Sequence, residues 1–248
     1  NGDKKAVTTA AGEKEVPADF ASAIEDKTSE WGEPKDITEG ENGSVATFDD
    51  DKLREECGIY GVIGLKDAAN FVALGLHALQ HRGQEAGGIV AFDPDTGFNS
   101  AHRFGYVRDN FTKASLMETL PGELAIGHVR YSTAGAKGPA IRDIQPFFGE
   151  FAMGGCAIAH NGNITNAAAL RRELIERGSI FQSSSDSECI IHLMARSIQR
   201  NIPERMKDAL RRVEGAFSVI AMTRTKLIGV RDDETRWEGA AERVLRGF

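Results

Sequence analysis

The chain changes character at residue 57, and no other feature limits its fold as strongly. Residues 1–56 carry 16 Asp/Glu against 7 Lys/Arg, whereas the remainder carries 21 against 23, so the acidity belongs to the leader. Large apolar residues such as Val16, Phe20, Trp31 and Phe48 are thinly spread there among Gly, Pro, Thr and Glu. Burying so few side chains does not offset the entropy lost on ordering a backbone. The segment reads as an acidic, mostly disordered leader or propeptide, with a small docking element built on Phe20 and Trp31 as the alternative.

From Cys57 onward the sequence is a series of short apolar runs. GIYGVIG (58–64), GGIVAFD (87–93), ELAIGHVRYST (123–133), GGCAIAH (154–160), AFSVIAMT (216–223) and KLIGVRD (226–232) have the length and composition of strands. AANFVALGLHALQ (68–80) sets Phe71, Leu74 and Ala78 on one stripe with Val72, Leu76 and Leu79 beside it, a helix that Gly83 closes. NAAALRRELIER (166–177) reads as a helix ended by Gly178. Ser185 and Glu188 form a capping-box signature opening SECIIHLMARSIQR, and PERMKDALRRVEG (203–215) begins with proline and ends in glycine. Strands, then helices, then strands, without regular β-α-β alternation, predict antiparallel sheets with helices on their outer faces.

Several function classes are excluded on composition. The hydrophobic share of 41% over 248 residues suffices for one or two cores. No run approaches the 18 or so apolar residues of a membrane span, and the first residues lack the apolar core of a secretory signal. Three cysteines, Cys57, Cys156 and Cys189, make neither a disulfide framework nor a zinc motif, which fits a reducing cytoplasm. A near-neutral domain without aromatic-basic clusters is not a nucleic-acid binder. The six histidines show no metal-ligand spacing with acidic partners and are read as structural or hydrogen-bonding groups.

The position of Cys57 is chemically pointed. An α-amino group titrates near the pKa of a thiol, so a cysteine at a chain's N-terminus carries its own general base. With the leader attached, that nitrogen is an amide without useful basicity. The leader therefore reads as a removable block, against the bland alternative of an ordinary buried thiol beside a strand.

Further residues supply what such a nucleophile would need. In GHVRYSTAG (127–135) Arg130 ends a strand, where a guanidinium can clamp a carboxylate bidentately. In AHNGN (159–163) Asn161 and Gly162 offer an amide side chain and an unobstructed backbone N–H, two adjacent oxyanion donors. In SSSDSE (183–188) Asp186 stands at a helix start, within reach of an ammonium group. Singly these read as an ion pair, a turn and a cap; together they describe a site for hydrolysing an amino-acid side-chain amide, with glutamine the natural substrate.

Cys57-Gly58-Ile59, QHRGQEAGGI (80–89), GHVRYSTAG, AHNGNITN and SSSDSE, in that order, resemble the N-terminal glutaminase half of the amidophosphoribosyltransferases, which open purine synthesis. The resemblance covers residues 57–232. It implies an α+β fold, the four-layer αββα sandwich of the N-terminal-nucleophile hydrolases. It assigns Cys57 as nucleophile with its freed amine as base, Asn161 and Gly162 as oxyanion donors, and Arg130 and Asp186 as grips for the glutamine carboxylate and amine. Backbone at Thr133 and Gly162 would assist in binding, and Arg82 would support the strand of the nucleophile. Ammonia released here would serve phosphoribosylamine formation from phosphoribosyl pyrophosphate in a second domain. Some members of that family carry a short acidic leader removed by self-cleavage.

Two departures from that pattern set further expectations. The leader is much longer than a short propeptide. After GVRD (229–232) the sequence DETRWEGAAERVLRGF (233–248) diverges from the family, so the sandwich is expected to be incomplete at its C-terminus and the phosphoribosyltransferase domain absent. No cofactor is expected in this chain: Mg belongs with the missing domain, and Cys156 and Cys189 do not match an iron-sulfur pattern. A homo-oligomer is left open for the complete protein. The alternative to an enzyme is an inert truncated remnant acting, if at all, as a binding module.

Overall fold

The computed structural model describes residues 6–9, 12–15, 57–79, 85–130 and 140–232, in two compact units, Asn1–Arg54 and Glu55–Phe248. In the first unit strands β1 (Ala6–Thr9) and β2 (Gly12–Glu15) pair antiparallel, with Ala6 opposite Glu15. The reading of a mostly disordered leader did not anticipate this hairpin, although Val7, Thr8 and Thr9 favour extended backbone. The rest of the leader lies outside the described residues.

The second unit contains two four-stranded antiparallel sheets. One runs in the order β3 (Gly58–Ile63), β6 (Leu124–Arg130), β4 (Ala86–Asp93), β5 (Gly97–Phe104); the other runs β10 (Leu227–Arg231), β9 (Phe217–Met222), β8 (Gly154–Gly162), β7 (Phe147–Phe151). Helix α1 (Ala68–Ala78) covers the first sheet. The contact is close because Gly127 has no side chain: a Cβ there would lie 2.6 Å from Val72 and 2.7 Å from Leu76 of that helix. The short helices α2 (Val107–Asn110) and α3 (Ala114–Met117) follow β5.

Helices α4 (Ala167–Glu176), α5 (Glu188–Arg196) and α6 (Ile202–Leu210) cover the second sheet. Their apolar stripes (Leu170 and Leu174, Ile190 and Met194, Met206 and Leu210) pack against Cys156, Ile158, Val219 and Ala221. Burial of each large aliphatic side chain contributes about 1.5–3 kcal/mol before entropy is counted. The opposite faces of the sheets share a second core of Val90, Leu124, Ile126, Ala157, Ala159 and Met222, with Ile59 and Leu227 packed against it. Helix, sheet, sheet, helix is the expected four-layer αββα sandwich.

The two sheets lie with their ends in step. At one end Phe98 and Phe148 crowd Gly155, with the Phe92, Phe98 and Phe148 rings stacked in tilted pairs 4.9 Å apart. The opposite end of the first sheet is the start of β3 and the close of β6. The opposite end of the second is the close of β8 at Asn161 and Gly162.

Local differences from the sequence reading have physical causes. The strands β5 and β7 were not anticipated, since GFNSAHRF is rich in polar residues and FFGEF is five residues long; both are edge strands, where one paired neighbour suffices. The capping box of Ser185 and Glu188 is not formed. Glu188 instead accepts hydrogen bonds from Gln182 N (2.8 Å), Ser183 N (2.8 Å) and Ser183 Oγ (2.7 Å), a better use of a buried carboxylate. Helix α5 stops at Arg196, four residues early, because Ser197 turns extended and donates to Asp208 at 2.6 Å. Helix α6 is capped by Asn201, which accepts from Glu204 N at 2.9 Å. Among the described residues no helix is long and apolar enough to cross a membrane, and no group of three or more His, Cys, Asp and Glu is arranged to hold a metal ion.

Candidate active site

Strand register places the nucleophile candidate. Gly58 lies opposite Val129, so one step further sets Cys57 against Arg130 where the ladder ends. Directly opposed residues share a face, and alternation along β3 puts Cys57 on the side of Ile59, which faces the other sheet. Alternation along β6 likewise puts Arg130 on the side of Leu124 and Ile126. Cys57 is partly buried. Cys156 and Cys189 differ from it: burial pushes their thiols up to about 12 and about 11, which keeps them protonated inside the core.

Arg130 is held in place by its neighbours. Its Nη1 donates to the carbonyl of Asp143 at 3.3 Å, and its Nε lies 3.9 Å from the Glu85 carboxylate. Asp143 is in turn fixed, accepting from Ser184 N at 2.7 Å and Ala140 N at 2.9 Å. Neither Glu85 nor Asp143 was singled out in the sequence, because nothing local marks a residue whose task is to hold another.

Asn161 and Gly162 close β8 on the facing sheet. Asn161 is on the side of Ala157 and Ala159, so it looks across the inter-sheet layer from the same end as Cys57. Strand β7 pairs with β8 only as far as Ile158. Beyond that point the side chain of Gln145 takes the place of a strand: Oε1 accepts from His160 N at 2.7 Å and Nε2 donates to His160 O at 3.1 Å. Since His160 N and O point to this edge and Asn163 N donates the other way, to Ala216 O of the β9 side, alternation turns Gly162 N–H toward the β7 edge. Glycine is required here. Its φ is +141°, and a Cβ would lie 2.2 Å from Ala216 O.

Asp186 comes to the same corner. Its Oδ2 accepts from Ile164 N at 3.0 Å, two residues past Gly162, and its Oδ1 accepts from Ser187 N at 2.8 Å. The loop that carries it is held on three sides. Arg171 donates to Ser183 O (3.0 Å) and Ser185 O (2.7 Å) with its guanidinium 4.0 Å over the Phe181 ring, Asp143 takes Ser184 N, and Glu188 takes Gln182 and Ser183. Burial opposes the charge on Glu188, yet these donors and His192 outweigh it and keep the carboxyl below its ordinary range. Glu188→Ala leaves the buried donors unsatisfied and is expected to lower stability by about 3 kcal/mol, roughly a 10 °C drop in Tm. Denaturant unfolding checks this; a loss under about 1 kcal/mol would show that the loop is held by other means.

The structure thus brings Cys57, Arg130, Asn161, Gly162 and Asp186 to one end of the sandwich. Thr133 and Arg82 lie outside the described residues, as do Gly83 and the tail 233–248. His81 also lies outside the described residues, and three of the described histidines take packing or hydrogen-bonding positions: His102 Nε2 donates to Pro146 O at 3.1 Å, His160 Nδ1 meets Ser187 Oγ at 2.7 Å, and His128 lies buried beside Gln145.

Comparison with known proteins gives a consistent answer. Residues 133–235 match the family model of the glutamine amidotransferase domain. The amidophosphoribosyltransferase of Rhizobium etli is 53% identical over 185 residues, which is 75% of this chain and 37% of that protein. The amidophosphoribosyltransferase sequence of Lacticaseibacillus casei is 45% identical over 171 residues, covering 69% of this chain and 87% of that sequence. The glutamine phosphoribosylpyrophosphate amidotransferase structure from B. subtilis, complexed with ADP and GMP, superposes with a TM-score of 0.63 at 36% identity, over 70% of this chain and 37% of that one. The chain spans little more than a third of the Rhizobium etli and B. subtilis proteins. With a glutamine amidotransferase domain, close similarity in sequence and the same sandwich, the chain belongs to the amidophosphoribosyltransferase family.

Proposed function

We propose that this chain, with Cys57 freed as the N-terminal residue, hydrolyses the side-chain amide of glutamine. The reading rests above all on the strand register, which sets Cys57 and Arg130 on one inner sheet face opposite Asn161 on the other. The freed amine takes the thiol proton, and the thiolate adds to the amide carbon of glutamine. Charge on the carbonyl oxygen is met by the Asn161 amide and Gly162 N–H, donors fixed before the reaction begins. The protonated amine returns its proton to the leaving nitrogen, ammonia departs, and a thioester to Cys57 remains. Water adds to that thioester and releases glutamate and the thiol.

Arg130 holds the substrate carboxylate and Asp186 its ammonium, a pair of opposite charges that fixes the orientation of the amino acid. On the family resemblance alone we assign Thr133 a backbone contact with the substrate and Arg82 the support of the nucleophile's strand. In the complete protein the ammonia displaces pyrophosphate from phosphoribosyl pyrophosphate, giving phosphoribosylamine for purine synthesis. Similarity to the amidophosphoribosyltransferases of Rhizobium etli and Lacticaseibacillus casei supports this wider activity. A reducing cytoplasm keeps the thiol available.

Intact-mass measurement of the expressed chain tests the reading. The expected result is a species that begins at Cys57 and gains one adduct from a glutamine-mimicking diazoketone. A chain that keeps its leader, or that loses it and takes no adduct at Cys57, would sink the proposal.

A further inference from the structure

Gln145 belongs to no assigned role, yet it is 6% exposed and touches more of the site's framework than any other buried polar side chain described above. Its amide orientation is unambiguous. His160 N can only donate, so the atom 2.7 Å away is the carbonyl oxygen, and the other terminus is the NH2 that reaches His160 O (3.1 Å), Ser187 Oγ (3.2 Å) and His128 Nε2 (3.5 Å). Ser187 Oγ also lies 3.2 Å from Asp186 Oδ1.

We propose that Gln145 is a positioning residue for the oxyanion donors: its amide stands in for a missing strand residue, clasps the backbone of His160, and thereby holds the Asn161 side chain facing the inter-sheet cleft and Gly162 N–H at the open β7 edge. The physical need is clear from β7, which stops pairing at Ile158. Without a partner on that edge, the last turn of β8 would be anchored by β9 alone. A second consequence follows from the NH2 group. Through Ser187 it tethers Asp186, so one side chain ties the oxyanion corner to the ammonium grip. Displacement of about 1 Å in such groups can cost on the order of 10²-fold in rate.

This inference rests on the glutaminase reading, and kinetics separate the two. Gln145→Met keeps length and apolar volume but neither hydrogen bond. It is expected to lower kcat about 10²-fold, with KM for glutamine changed far less, since oxyanion contacts form only in the transition state. Gln145→Glu supplies the control that a purely structural role would not move. Ionised, its second oxygen faces His160 O and repels it; protonated, it again accepts from His160 N and donates to His160 O. The ratio of its kcat to the wild-type value should therefore climb as pH is lowered.

Wild-type turnover with Gln145→Met at the wild-type rate would overturn the inference while leaving the glutaminase reading intact, and so would a Gln145→Glu variant equally slow at every pH. A wild-type protein that takes the Cys57 adduct but never turns glutamine over would remove the reading itself.

Discussion

Asn161→Ala is expected to slow glutamine hydrolysis by about 10²- to 10³-fold, with little change in KM and little loss of stability. The expectation comes from where the side chain stands. Asn161 closes β8, is half-buried, and shares the inner face of Ala157 and Ala159, so its amide meets the cleft rather than the core. Truncation leaves the backbone pairing with Ser218 in place. What is lost is a donor to a charge that exists only while the tetrahedral species is present, and such a loss appears in kcat alone. Steady-state kinetics on the processed protein measure it directly. An unchanged kcat would remove Asn161 from the reaction, and a large rise in KM would make it a binding residue instead.

Acid is expected to destabilise the sandwich well before its carboxylates titrate. His128 is buried at the end of β6, and burial, reinforced by His160, Arg130 and His102, pushes its pKa from the ordinary 6.5 down to about 3. One contact points the same way: Gln145 turns its NH2 toward His128 Nε2 at 3.5 Å, where a proton would face another donor. A hydrogen bond with the His160 backbone opposes the shift and is outweighed by burial. The unfolded chain takes up this proton near pH 6.5 and the folded chain does not. Stability is therefore complete above that value and falls by about 1.4 kcal/mol per pH unit below it, until the folded pKa is reached.

By about pH 5 this one histidine removes about 2 kcal/mol. His102 and His160 are also lowered by burial and add to the slope. Glu188 adds to the loss only from the ordinary carboxylate range downward, since its pKa is lowered in the folded chain and the unfolded chain takes up the proton first. Urea unfolding as a function of pH tests the account, and His128→Asn should flatten the dependence between pH 6.5 and 5. The same slope in that variant would place the cause elsewhere.

Parts of this fold and site were legible because they are local. The length and composition of GIYGVIG mark a strand and the spacing in AANFVALGLHALQ marks a helix, although the face that helix buries is Ala69, Val72, Ala73 and Leu76 rather than Phe71, Leu74 and Ala78. Arg130, Asn161, Gly162 and Asp186 each stand at the end of an apolar run, where a strand or a helix meets the cleft. The residues that were missed act at a distance in sequence. Gln145 reaches His160 fifteen positions away and Ser187 forty-two away. Glu188 was read as half of a capping box because the spacing fitted, but a buried carboxylate surrounded by loop amides goes to the larger number of donors.

What the sequence by itself determined is chemical identity and local form: a cysteine where an acidic N-terminal stretch gives way to apolar runs, two antiparallel sets of strands, and the residue types that a glutamine site needs. Only the tertiary structure decided that these residues meet. Two sheets packed with their ends in step turn separate strand ends into one corner, and a glutamine side chain completes the edge that β7 leaves unpaired. The reason is that side-chain period and capping depend on neighbours a few residues away, whereas the meeting of Cys57, Arg130, Asn161 and Asp186 depends on register and sheet packing, which only the buried core fixes.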